Sequence, residues 1–266
     1  MLPTLTPDVR LYLIVALVLV ATSCLTLAAH VRTRWLAGLG IGFMPVHAIT
    51  MGLVVCASLL VFDPHAVLNV SFWGITAGLP AGIAGGLVII VADGAIVRSL
   101  AGWERRTAAS FGDASRATRG EGAQQVRSLA PGSSEPRRRV VGIFKAKGTF
   151  VPSAEDYQVA LGWLLSVAAL EELVFRGVLV QAALLLPGIG WQAVAIAAGT
   201  VIFALSHVFF GWSQVLAKLP LSAVAILQTL LTGSVCGAIA THGIFNFYVW
   251  RYQKSARITY RESSVR

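Results

Sequence analysis

Between Tyr157 and Leu186 the chain is apolar over a length that crosses a bilayer, yet Glu171, Glu172 and Arg176 all lie near its middle. An ionisable side chain at the centre of a spanning helix costs roughly 2.5–3.5 kcal/mol on translocon-based scales, so three together require partners or a chemical role. On a helix Glu172 and Arg176 are four apart and share a face, with the carboxylate N-terminal to the cation, the favourable order for an ion pair. Glu171 is turned by about 100° from Glu172 and cannot share that geometry. One acid is left over, available as a general acid or base if something elsewhere answers it.

The rest of the chain supplies the setting. Of 266 residues, 56% are hydrophobic and 12% charged, with mean hydropathy +0.74, which is too apolar for a soluble domain. The expected fold class is all-α: a polytopic bundle of about seven spanning helices with a long basic cytoplasmic loop between the third and fourth. The formal net charge of +9 collects in that loop and in the tail, where lipid headgroups and the positive-inside rule account for it without nucleic acid. Cys24, Cys56 and Cys236 fall in apolar segments without pairing or metal-type spacing, so no disulfide framework is expected.

The apolar segments are Leu11 to Ala29, Trp35 to Phe62, Leu68 to Val97, Tyr157 to Leu186, Trp191 to Phe210, about Ser213 to Leu231, and Ser234 to Trp250. They divide the chain into a three-helix membrane region (1–98), a basic loop expected to be largely disordered (99–156), a polar-cored membrane domain (157–252) and a basic tail (253–266). The third segment carries Gly74, Gly78, Gly82 and Gly86 at four-residue spacing, a small-residue strip that lets another helix approach closely, and Pro80 is expected to bend it. The sixth, with Lys218 and Pro220, is the weakest and reads as tilted or partly re-entrant. The basic Arg32-Thr33-Arg34 turn, the long loop and the tail agree on one orientation, with the N-terminus outside and the C-terminus cytoplasmic, in the cell membrane.

Two further segments carry polar residues in helical register. Phe203 lies one turn before His207 and can wall a cavity beside it; His242 and Asn246 are one turn apart and can address the same point. Two histidines, an asparagine and the spare Glu171 on three spanning helices fit a catalytic site, and they also fit polar contacts that hold helices together. Ser206 and Thr241 adjoin the histidines and are read as tuning their tautomers. Asp93 reads as an interfacial or capping group, and His47, beside Pro45, as satisfying a carbonyl freed by the proline.

The order Glu171-Glu172 with Arg176, then Phe203 with His207, then His242 with Asn246, with Thr232-Gly233-Ser234 before the last helix, resembles the CPBP family of intramembrane proteases, which includes the CAAX prenyl endopeptidases. The resemblance covers about Ala160 to Phe247. It implies an endopeptidase in which Glu171 and His207 activate a water, His242 and Asn246 donate to the oxyanion, and Glu172 and Arg176 brace the helix. The implied substrate is a membrane-associated or lipidated polypeptide reaching a cavity in the bilayer; no oligomeric state follows. No cofactor is required in this mechanism, although Glu171, His207 and His242 are a legitimate zinc set. The competing readings are a catalytically silent scaffold or bacteriocin-immunity protein binding a peptide in the same cavity, and a proton-linked transporter, which the lack of an internal helix repeat disfavours.

Overall fold

The computed structural model describes residues 7–68, 72–118, 159–208 and 212–264. Among these residues all regular structure is helical. In chain order the helices are α1 (Pro7–Trp35), a short 3-10 turn (Ala37–Leu39), α2 (Phe43–Val61), α3 (Pro64–Leu68), α4 (Phe72–Thr118), α5 (Leu161–Glu172), a π-helical stretch (Leu173–Val178), α6 (Leu179–Leu184), α7 (Ile189–Leu205), α8 (Trp212–Thr232) and α9 (Cys236–Ser264). Arg32 and Arg34 sit in the last turn of α1, where cations oppose the helix dipole.

Among the described residues four stretches, Val15–Trp35, Phe43–Val61, Pro64–Leu100 and Gln214–Thr232, are long and apolar enough to cross a membrane, and α7 is apolar but shorter. The run through α5, the π stretch and α6 carries Glu171, Glu172 and Arg176 in its interior, and such charges lower the hydropathy of a helix whatever its length. The sixth apolar segment, expected to be the weakest, is a single helix in which Pro220 lies inside.

Several boundaries differ from those expected. α4 continues to Thr118, well into the stretch read as loop from 99 onward. Its distal sequence is rich in alanine and arginine, good helix formers that carry the winding beyond the apolar segment. The remainder of that loop, from 119 to 156, lies outside the described residues. Likewise α9 runs past Trp250 into the basic tail. Asp93 is interior to α4, so it caps no helix end.

The bundle closes around one cluster that draws Cys24 from α1, Met51 from α2, Ile89 from α4, Phe175 from the π stretch, Phe203 from α7 and Phe245 from α9. A close helix seam joins α4 to α9. A methyl added at Gly82 would stand 2.5 Å from the Ala240 side chain and 2.6 Å from the Gly237 carbonyl, and one at Gly86 would stand 2.8 Å from Ile244. Only hydrogen fits at these positions, as the glycine strip leads one to expect. Beside this seam Gln228 of α8 donates to the Ala81 carbonyl of α4 at 2.7 Å. The single hydroxyl hydrogen of Thr241 is shared between Gln228 Oε1 at 2.8 Å and the Gly82 carbonyl at 3.0 Å.

Candidate active site

The two adjacent carboxylates stand at the end of α5, where regular winding gives way to the π stretch. There the Leu179 N–H bonds the Val174 carbonyl, five residues back. Such single-turn π insertions recur at functional sites because they re-aim side chains without ending the helix. Gly177 lies in this stretch because a Cβ there would stand 2.8 Å from the Val67 carbonyl of α3.

Glu172 and Arg176 pair as their spacing predicts. Arg176 Nη1 donates to Glu172 Oε1 at 3.3 Å. Its Nε is 3.1 Å from Oε2, a charge contact whose angles do not make a hydrogen bond. Both residues are buried, at 0% and 1% exposure, so the pair is stable only because each charge has further partners. Arg176 Nη2 donates to Ser222 Oγ on α8 at 2.9 Å, and its guanidinium lies 4.2 Å from the centre of the Phe203 ring, a cation–π contact. Glu172 Oε1 in turn meets His242 Nδ1 on α9 at 2.8 Å.

That contact sets the tautomer of His242. A carboxylate is an acceptor, so Nδ1 carries the hydrogen, and Nε2 is the nitrogen that faces Glu171 Oε2 at 3.8 Å. The second oxygen of Glu171 meets a residue that the spacing arguments placed elsewhere: His47 Nε2 of α2 lies 3.5 Å from Oε1. The reading of His47 as satisfying a proline-freed carbonyl is therefore corrected. Pro45 falls in the first turn of α2, which begins at Phe43, and a proline there breaks no helical hydrogen bond.

His207 lies at the end of α7, buried and within electrostatic range of Glu171 and His242. Its Nδ1 is 3.0 Å from the Phe203 carbonyl, which makes Nδ1 the hydrogen-bearing atom and leaves Nε2 with its lone pair. Ser206 Oγ lies 3.2 Å from the same nitrogen and bonds the same carbonyl at 2.7 Å, so this serine does adjoin the tautomer-setting contact. Thr241 does not, being held in the α4–α9 seam. Phe203 walls the site as expected, with its ring centre 5.1 Å from that of His207 and 6.0 Å from that of His242.

Asn246 is placed differently from its expected partner. Its side-chain amide donates to the Leu164 carbonyl of α5 at 3.2 Å, so in this conformation one of its hydrogens ties α9 to α5. Lys218, which the sequence marked only as weakening the sixth segment, also stands near the site. It is buried, its ammonium lies 4.3 Å from the centre of the Phe245 ring, and it is within electrostatic range of Glu171, Asp93, Glu172 and Arg176.

His47 did carry a signal. Phe43 and His47 repeat the Phe-x-x-x-His spacing of Phe203 and His207, and both pairs bring their rings together, at 5.5 Å and 5.1 Å. Lys218 carried the same signal as Glu171, an ionisable group inside an apolar segment, whereas nothing around Ser222 distinguishes it from an ordinary polar residue of a spanning helix.

Among the described residues no three His, Cys, Asp or Glu side chains are grouped to hold one ion. What the arrangement offers is a buried carboxylate flanked by imidazoles, with one imidazole nitrogen of known tautomer on each of two helices. These are the parts for moving a proton to and from water.

A family model described as Rce1-like, type II CAAX prenyl endopeptidase Rce1-like, matches residues 154–248. No curated protein and no solved structure matches the chain.

Proposed function

We propose that this integral membrane protein, whose residues 154–248 match the model of the Rce1-like family of type II CAAX prenyl endopeptidases, hydrolyses a peptide bond of a lipidated or otherwise membrane-associated polypeptide, using a water activated by Glu171 with His207. The observation that carries the reading is the placement of Glu171. It is buried, yet unlike Glu172 it has no arginine within ion-pair distance among the described residues, only His47 and His242. A carboxylate held so is suited to exchange a proton rather than to neutralise a fixed charge.

In the proposed sequence Glu171 takes a proton from water as the water oxygen bonds to the scissile carbonyl carbon, and the carbonyl π electrons move onto its oxygen. His207 Nε2, the lone-pair nitrogen, accepts a hydrogen bond from that water. Collapse of the tetrahedral species breaks the C–N bond, and the proton held by Glu171 passes to the departing amine. His242, with its Nδ1 hydrogen held by Glu172, enters the cycle with a second proton taken from solvent on Nε2, donates it in a hydrogen bond to the oxyanion, and keeps it when the tetrahedral species collapses. Asn246 joins as a second donor through its remaining N–H.

The same reading takes the chain to cross the membrane seven times, with the helices too polar or too short to qualify by composition spanning as part of the bundle. The N-terminus then lies outside and the basic segments on the cytoplasmic side of the cell membrane. Cysteine labelling from each side of sealed vesicles tests this.

Hydrolysis is tested with purified protein and a farnesylated peptide ending in a CAAX sequence. Glu171→Ala and His207→Ala should each lower kcat by about 10²- to 10⁴-fold while the protein still folds. Cleavage by both variants at the parental rate would overturn the mechanism. A cellular phenotype that survives both substitutions would favour the silent scaffold or immunity protein.

A further inference from the structure

The family match begins at residue 154, yet one side chain at the centre of the site comes from far upstream. His47 is 3% exposed, and its Nε2 lies 3.5 Å from Glu171 Oε1, at the outer limit of a hydrogen bond. Its Nδ1 is buried without a hydrogen-bond partner. We infer that His47 is a positioning residue for the Glu171 carboxylate, so that the N-terminal helices complete a site whose other parts lie in the family domain. This rests on the reading of Glu171 given above.

The tautomer follows from the partners. A bare ring nitrogen buried without a partner is cheaper than a buried N–H without an acceptor, because orphaned donors are the rarer of the two in folded proteins. The hydrogen of a neutral His47 therefore sits on Nε2, pointing at Glu171, and Nδ1 is the lone pair. The ring itself is held by Phe43, one turn earlier, with ring centres 5.5 Å apart and planes within 13° of parallel.

A single contact would not orient a glutamate carboxylate, because its terminal torsion is broad and nearly two-fold. Here one oxygen faces His47 of α2 and the other faces His242 of α9. The two imidazoles bound the carboxylate from two helices, and of the two only neutral His47 presents an N–H to it, because the hydrogen of His242 lies on Nδ1 against Glu172. A base free to rotate is misaligned with the water it must deprotonate, and such misplacement is felt in the transition state and not in substrate binding.

Isosteres provide the test. The amide nitrogen of glutamine reaches the place of histidine Nε2, whereas that of asparagine reaches only the place of Nδ1. With the farnesylated CAAX-type peptide as substrate, His47→Leu and His47→Asn should lower kcat by about 10- to 100-fold with KM unchanged, and His47→Gln should recover to within a few-fold of the parent. Equal losses in all three variants, or an unchanged kcat in His47→Leu, would overturn the inference.

If the parent itself cleaves no such peptide, the proposed activity fails and thermal unfolding in detergent decides the contact. The drop in Tm caused by His47→Leu should then be smaller in a Glu171→Ala background than in the parent. Additive drops would mean that His47 and Glu171 do not interact.

Discussion

α9 is gripped on two faces by opposite means. On one, the glycines of α4 admit it so closely that Gly82 has room for no side chain against Ala240 and Gly237. On the other, His242 is held by the Glu172 carboxylate, which itself depends on Arg176. The two grips meet at consecutive residues, since Thr241 bonds across the seam and His242 enters the site. The seam holds α9 by shape, which tolerates no added atom; the cluster holds it by charge, which tolerates no lost partner. His242 can therefore be displaced from the site by a change at a glycine that never touches it.

The contrast is best broken at the charged side first. Replacing Arg176 with methionine leaves Glu172 buried without its cation, and such losses cost about 3–5 kcal/mol. A large drop in Tm in detergent is expected. The double variant Arg176→Met with Glu172→Gln should recover much of it, since the uncompensated charge is gone. If the double variant is as unstable as the single one, packing and not charge governs this face.

The seam should yield less per atom but reach further. Gly82→Ala forces α4 and α9 apart and should cost about 1–3 kcal/mol, the usual range for overpacking. It should also lower peptidase activity more than that instability explains, through movement of His242. Gly162→Ala, where a Cβ meets nothing within 4 Å, is the matched control. Full activity in folded Gly82→Ala protein would show that the seam and the site are independent.

Smallest is the effect of Thr241→Val, which keeps the shape and removes one shared hydrogen. Polar contacts between membrane helices average about 0.6 kcal/mol in double-mutant cycles, so only the small drop in Tm that such a loss of stability produces is expected, with the rate nearly unchanged. A loss as large as that of Gly82→Ala would mean that hydrogen bonding, and not close approach, holds the seam.

What the bare sequence disclosed follows the same division between local and distant geometry. The Glu172–Arg176 pair and the glycine strip were legible because both depend only on the spacing within one helix. Phe203 beside His207 was legible for the same reason. The contacts of His242 with Glu172 and of His47 with Glu171 join helices far apart in the chain, and no periodicity encodes which faces will meet. The error over His47 came from assigning Pro45 to a helix interior when it begins one. The helical continuation of α4 was hidden because arginine and alanine mark a polar surface and a good helix former alike.

The π stretch at Leu173–Val178 makes this site hostage to length as well as to composition. An extra residue accommodated in one widened turn shifts everything before it by about 100° and 1.5 Å relative to everything after it. Excising one apolar residue between Glu172 and Leu179 would let the rod heal into ordinary winding, with every titratable group still present in the polypeptide. The two acids would then be dialled away from either the imidazole of α9 or the guanidinium that accompanies it. In a lineage of such chains, an indel of one codon here would disarm the protein as surely as a substitution of the glutamate.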